Sequence, residues 1–386
     1  MAQGDPPVRR TSVPARSPRQ VADDLAARLA PPAGALVLAF VSSRLPPDEV
    51  AAALEERLAP ATVIGCTSNG EIAGPVAVGT AAAVAITTPG IRFGVGLASE
   101  LVRGPLQAGR AAVTTAAATL GLSPDDLDPS RHVALTLVDG RSSFAEGFCL
   151  GTAATAPRIP FVGGSASDEV GAPPRSAVFA GGTAHRDAGL VVIVESRLAF
   201  EVITSEHMMP TPVRTVVTGA DPARRVIYEL DGHPAAARYE QLIHELGADR
   251  PLDNALASSF PLALYVGGRP YVRSIQEVVG AELRLAAVVD EGAILRIMEP
   301  GDLVAQTRAA LAGARARLGD LSAVITFSCL GRHLEANGRG ASAALDDIYA
   351  SLPVIGFHSF GEQAGPLLVN HTLAALALGG SHAGRA

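Results

Sequence analysis

The segment PVIGFHSFGEQ (residues 353–363) decides the fold, because two earlier segments share its plan. These are TVIGCTSNGE (62–71) and PFVGGSASDE (160–169). Each places two apolar residues before a glycine: Val63-Ile64-Gly65, Phe161-Val162-Gly163 and Val354-Ile355-Gly356. Each carries a glutamate six positions beyond that glycine: Glu71, Glu169 and Glu362. About twenty residues upstream of each glycine, an apolar run ends in an arginine: LVLAFVSSR (36–44), VALTLVDGR (133–141) and AVITFSCLGR (323–332). The repeated unit is strand, arginine loop, helix, strand, glycine–glutamate loop. A repeat of this kind fixes architecture, since each copy is one supersecondary unit. Strand, helix and strand in so short a span make a βαβ crossover, whose right-handed connection requires parallel strands. The arginine and glutamate loops of one repeat then leave the same edge of the sheet, the C-terminal edge where open α/β sheets place ligands.

Between the repeats the pattern is mixed. Residues 36–41 are a continuous apolar run, as in a strand buried on both faces. A helix is expected from Asp48 to position 58, with others over 21–31, 105–121, 143–154 and 235–246. Two strands are expected within 76–98, then strands at 177–181, 189–195 and 198–204, with GGTAHRDAG turning between the first two. Prolines and the Asp221-Pro222 and Asp231-Gly232 turns mark 210–235 as a transition, with a boundary near 225. Strands follow at 262–266, 271–275, 283–289 and 293–299. Asp302 caps a helix bearing Val304, Leu311 and Leu318 on one face, and residues 371–378 form a last strand. The expected fold class is α/β (α+β), with two domains built on repeated βαβ units and mixed sheets. Residues 1–30 are read as a disordered tail and a short helix, 31–225 as an N-terminal domain and 226–380 as a C-terminal domain.

Composition narrows the function classes. The chain has 386 residues, 48% hydrophobic, with aromatics at 4% and no tryptophan, so its cores are built from Ala, Val, Leu and Ile. A net charge of −7 gives no basic stripe for nucleic acid. No apolar run is long enough to span a membrane, and the Arg- and Pro-rich N-terminus lacks the apolar region of a secretory signal. Three widely spaced cysteines, Cys66, Cys149 and Cys329, fit a reducing compartment. A cytoplasmic protein is therefore expected.

The repeat loops offer a guanidinium, suited to a carboxylate, and a carboxylate, suited to an ammonium. They could serve an amino acid, or they could pair with each other. The third copy has the strongest claim, because Cys329, His333, His358 and Ser359 crowd its edge. The expected ligand set is Arg332 for a carboxylate and Glu362 for an amine. Gly331 and Gly356 give backbone access, and Cys329, His358 and Ser359 form the wall. Cys329 reads either as a buried small hydrophobe or as a nucleophile. The histidines show no zinc spacing. A haem ligand needs no sequence pattern, and His185, His207, His233 and His358 are its candidates. No nucleotide-phosphate loop and no catalytic residue set is seen, so no cofactor is expected, with haem as the alternative.

GCTSNGEIAG (65–74), PFVGGSASDE (160–169), VVTGADPARRVIYELDGHPAAARY (216–239), FSCLGR (327–332) and PVIGFHSFGEQAGP (353–366) together resemble the FIST family, N- and C-terminal domains in tandem. The resemblance covers about residues 30–378. The sequence departs from the family pattern at His358, Phe360 and Gln363. The resemblance implies a cytosolic sensory or signal-transduction protein that binds a small ligand such as an amino acid. It also implies, as the alternative, a haem-binding nitric oxide sensor acting through a separate histidine kinase. Enzymatic use of Cys329 is the third reading.

Overall fold

The computed structural model describes residues 8–87 and 90–380. Three repeats of one plan emerge. The first comprises β1 (Val8–Pro14), α1 (Pro18–Leu29), β2 (Leu36–Ser42), α2 (Pro47–Leu58) and β3 (Thr62–Ser68). A hairpin, β4 (Glu71–Ile72) and β5 (Val76–Ala77), and a return strand, β6 (Thr80–Ile86), complete it. The second has β7 (Ile91–Ser99), α3 (Pro105–Thr119), β8 (His132–Asp139), α4 (Ala145–Thr155) and β9 (Phe161–Ala166). Its hairpin is β10 (Val178–Ala180) and β11 (Thr183–His185), and its return strand is β12 (Ala188–Ser196).

The third repeat opens with β13 (Phe200–Glu206) and is then interrupted by an insertion. The insertion holds β14 (Met208–Asp221), β15 (Val226–Leu230), β16 (His233–Pro234), α5 (Ala235–His244) and α6 (Asn254–Ser259). It continues through β17 (Leu262–Val266), β18 (Arg269–Arg273), β19 (Ile275–Val279), β20 (Glu282–Leu285) and β21 (Ile294–Pro300), all in one sheet with β14–β16. The repeat resumes with α7 (Leu303–Leu318), β22 (Leu321–Cys329), α8 (Leu330–Gly338), α9 (Ser342–Ala350) and β23 (Val354–Ser359). Hairpin β24 (Glu362–Ala364) and β25 (Leu367–Val369) and return strand β26 (Thr372–Gly379) close it.

Each repeat contributes a parallel pair to its own sheet: β2 with β3, β8 with β9, β22 with β23. Each return strand pairs antiparallel with the first member of that pair. The hairpins do not stay at home. β4 pairs with β23, β10 with β3, and β24 with β9. Each of the three repeat sheets therefore ends in a hairpin lent by another repeat, and the three exchanges form a closed cycle. The mixed sheets and α+β class match the sequence expectation.

The glycine of each repeat has one cause. Gly65, Gly163 and Gly356 lie opposite Ala39, Thr136 and Thr326 in the parallel ladders. A Cβ there would stand 1.9, 2.1 and 1.8 Å from the carbonyl oxygens of those partners. The strands approach too closely for any side chain. The glycines therefore serve strand packing, and Gly356 is fixed by Thr326.

Alternation explains why the parallel strands read as unbroken apolar runs. Leu36, Leu38 and Phe40 point into a central core shared by all three sheets, with Leu135, Leu137, Ile325, Phe327 and Phe357. Val37, Ala39 and Val41 point the other way, under α1 and α2. Phe40, Phe327 and Phe357 meet at centroid distances of 4.8 to 6.3 Å, so aromatic pairing welds the first and third repeats. The insertion has its own core, with Tyr239, Leu242, Leu262 and Ile297.

Two expectations are corrected. Within the segment read as a disordered tail, residues 8–14 form β1, which pairs along its length with β6; residues 1–7 lie outside the described residues. An edge position tolerates the arginines and proline that disguise this strand. The stretch read as a transition is mostly strand, the bulk of β14 followed by β15 and β16, and the pairing of β14 with β21 is irregular between Pro210 and Arg214, letting Pro212 pass through.

Candidate functional site

The third repeat and the insertion enclose a cavity of about 690 Å3. One wall is the first turns and outer face of α8: Cys329, Leu330, Gly331, Leu334, Glu335, Gly338 and Arg339. The insertion supplies Arg250, Ser258, Ser259, Ser274 and Gln276, and the third-repeat turns add Phe360 and His371.

His371 is the group the site turns on. It precedes return strand β26 with φ +52°. The counterparts before β6 and β12 are Gly79 at φ +73° and Asp187 at φ +45°. The turn thus takes a left-handed residue in every repeat, and histidine, like aspartate, is among the non-glycine residues enriched there. The imidazole is 2% exposed and neither ring nitrogen has a hydrogen-bond partner. Burial drives its pKa down to about 3, so it is a neutral ring. The Ser274 hydroxyl, on the facing wall, is also buried without a partner.

Beside His371 lies Glu335, whose Oε2 is 3.9 Å from His371 Nδ1. The same oxygen accepts a 2.6 Å hydrogen bond from His207 Nε2, and Oε1 accepts from Arg339 at 2.7 Å. Burial pushes Glu335 up, but the bonds from His207 and Arg339 outweigh it and leave the carboxylate below its ordinary range. Arg250, paired with Asp253 at 3.0 Å, puts a second guanidinium on the cavity wall.

Of the residues expected from sequence, Cys329 and Gly331 line this cavity; Arg332, Glu362, Gly356, His358 and Ser359 do not. Arg332 and Glu362 do leave the same edge of their parallel strands. Arg332, however, is 1% exposed and donates to the Ser205 carbonyl, His207 Nδ1 and Thr307 Oγ1. Glu362 is wholly buried and accepts from Ser359 at 2.6 Å, its pKa raised well above the usual range by burial. His358 is buried against His333, 4.4 Å between ring centroids. Burial pushes the Cys329 thiol up, with the Glu362 carboxyl adding to it.

The other repeats pair their arginines with acids of the second repeat's glycine–glutamate loop. Arg44 pairs with Glu169 at 2.5 Å, first repeat to second, while Arg141 pairs with Asp168. Of the haem candidates, His185 contacts the Ala180 carbonyl and His233 is exposed; neither, nor His207 or His358, lines the cavity. Sequence reasoning missed His371, Glu335 and Ser274. Aligning the residues before the three return strands, Gly79, Asp187 and His371, would have exposed the first.

A tandem α+β protein with cyclically exchanged hairpins and a polar cavity beside its third repeat defines the class. Residues 35–233 match the FIST N domain and residues 235–365 the FIST C domain, so the chain belongs to the FIST family. FIST domains are associated with sensing, signal transduction and small-ligand binding. No curated protein matches. Among solved structures, a cyanuric acid hydrolase from A. caulinodans is 11% identical, covering 97% of this chain and 99% of its own, with a TM-score of 0.36. PurLQS from Thermotoga maritima is 9% identical, covering 96% and 72%, with a TM-score of 0.19. Likenesses this slight say nothing of activity. Among the described residues no helix is long and apolar enough to cross a membrane.

Proposed function

We propose that the chain is a sensor that binds an amino acid or small carboxylate in the cavity between α8 and the insertion. One observation carries this reading: the Ser274 hydroxyl and both nitrogens of His371, buried and unpartnered, border the same cavity. An orphaned buried polar group costs about 1–3 kcal/mol, and a polar ligand removes that cost. The wall also holds both signs of charge, Arg250 and Arg339 against Glu335, as a zwitterion requires. The size falls within the usual range for small-molecule sites. Because insertion and third repeat form opposite walls, occupancy would alter how they meet, and a separate signalling protein could read that change.

The test is a calorimetric and thermal-shift screen of amino acids and small carboxylic acids. Leu334, on the cavity wall and 46% exposed, gives the control, since Leu334→Trp should fill the cavity without touching its polar groups. A compound that raises the melting point of the parent but not of Leu334→Trp is expected. Equal binding to both, or none across the screen, overturns the cavity as the ligand site.

A second reading, haem, draws on His371 as a neutral imidazole with two guanidinium groups nearby for propionates. Haem would supply gas binding at its iron, and a histidine kinase would be the partner. A Soret band on adding haemin, lost in His371→Ala, supports it; protein that refuses haemin excludes it. Catalysis by Cys329 has the least support, because a buried thiol held protonated is a poor nucleophile.

A further inference from the structure

We propose that His207, Glu335 and His371 bind one divalent first-row transition-metal ion at the edge of the cavity. The three residues come from separate segments: the turn between β13 and β14, the second turn of α8, and the left-handed turn before β26. One ligand atom from each lies within 4.8 Å of the others. Among the described residues this is the one such grouping of three histidine, cysteine or acidic side chains. Two imidazoles and one carboxylate select zinc, iron or cobalt over magnesium or calcium, which prefer all-oxygen sets. With only three protein ligands, coordination positions remain for water or a ligand.

His371 is what distinguishes this cluster from an ordinary buried ion pair. His207 and Glu335 already satisfy each other, so neither needs a third group. His371 stands 3.9 Å from the shared oxygen with Nδ1 unpartnered, in a backbone conformation that costs energy to hold. An unpartnered imidazole nitrogen in that position is placed to ligate. Metal on Nδ1 would place the ring proton on Nε2, next to Gly331, where an added Cβ would come within 3.0 Å. That N–H then becomes a fixed donor toward the cavity, suited to a ligand carboxylate.

The ion would also alter Arg332. Metal on His207 Nε2 moves that ring's proton to Nδ1, which now faces Arg332 Nη1 at 3.2 Å. Two donors cannot face each other, so Arg332 gives up this bond and relies on Ser205 and Thr307. Metal occupancy is thereby coupled to the largest fully buried side chain of the third repeat.

This inference rests on the proposed cavity only for its open coordination positions. The test uses the full chain without a polyhistidine tag, stripped with chelator and titrated with zinc by calorimetry and with cobalt by absorption. One-to-one binding is expected. A visible cobalt d–d spectrum should appear without a thiolate charge-transfer band. His371→Ala and Glu335→Gln should each weaken binding at least about tenfold, while Leu334→Trp retains it. If His371→Ala does not fold, the partly exposed Glu335 variant and the parent cobalt spectrum decide the matter. No saturable binding up to about 1 mM metal, variants that bind like the parent, or a thiolate band from Cys329 would each overturn the site. Saturable metal binding with no compound bound across the screen fails the cavity reading alone, and a compound bound by the parent that takes up no metal fails the metal site alone.

Discussion

At the scale of single residues, three glutamates that occupy equivalent sequence positions have two fates. Glu169 is paired with Arg44 and accepts a hydrogen bond from the Ser42 hydroxyl. Glu362 and Glu71 are each buried against a serine three residues before, Ser359 and Ser68. Among the described residues no cation pairs with Glu71, and burial raises its pKa from 4.5 to about 8 against the opposing bonds from Ser68 and Thr80. The sign of its effect on stability follows. Below pH 4.5 both folded and unfolded chains hold the proton, and the contribution is complete. Between pH 4.5 and 8 only the folded chain holds it, so stability falls as pH rises, by up to about 1.4 kcal/mol per pH unit. Glu71→Gln cannot titrate. Denaturant melts at pH 5, 6, 7 and 8 should show the parent losing stability relative to this variant at each step. Parallel curves would mean that Glu71 is ionised in the fold.

At the scale of elements, the parallel pair is the unit that the repeats conserve in shape. It depends on a glycine where two backbones nearly touch. Gly163→Ala would press a methyl against both the carbonyl and the hydroxyl of Thr136, atoms fixed in the centre of a sheet. A loss of at least about 2 kcal/mol is expected in chemical denaturation. Gly338→Ala, in a helix with open space around it, should change stability by no more than about 1 kcal/mol, in the stabilising direction. Equal effects at the two sites would refute the close-approach account. Elements also show where sequence patterns mislead. β1 carries Arg9, Arg10 and Pro14, and only its edge position allows them. The parallel strands and crossover helices were legible, because unbroken apolar runs and capped helices are local signals. Of the short hairpin strands only β10, expected at 177–181, was legible, since two- or three-residue strands exist only through the partners they find.

For the whole molecule, the exchange of hairpins has a mechanical consequence. The N-terminal half lends β4–β5 to the third sheet and takes nothing back for the second until β24–β25 arrives from the C-terminal half. Neither half owns a complete set of sheets. Residues 8–206 alone would lack the strand that covers β9, and residues 207–380 alone would lack β13, β4 and β5. We expect each fragment to be insoluble or unfolded by itself, the two to complement when co-expressed, and the full chain to unfold with a single transition in calorimetry. A folded, monomeric fragment would show that the exchange is dispensable. The two matched family domains are thus divisions of the sequence that share their sheets.

The sequence by itself determined the repeats, the parallel crossovers and the shared edge of Arg332 and Glu362, because these depend on residue periodicity and the handedness of the chain. Which side chains face the cavity was decided only by tertiary structure. Arg332 turned inward because Ser205, His207 and Thr307, distant in sequence, offered its guanidinium acceptors in the interior. His371 and Ser274 came to border one space because the insertion folds back over α8. Hydrogen-bond competition and long-range closure set both outcomes, and neither leaves a local trace in the order of residues.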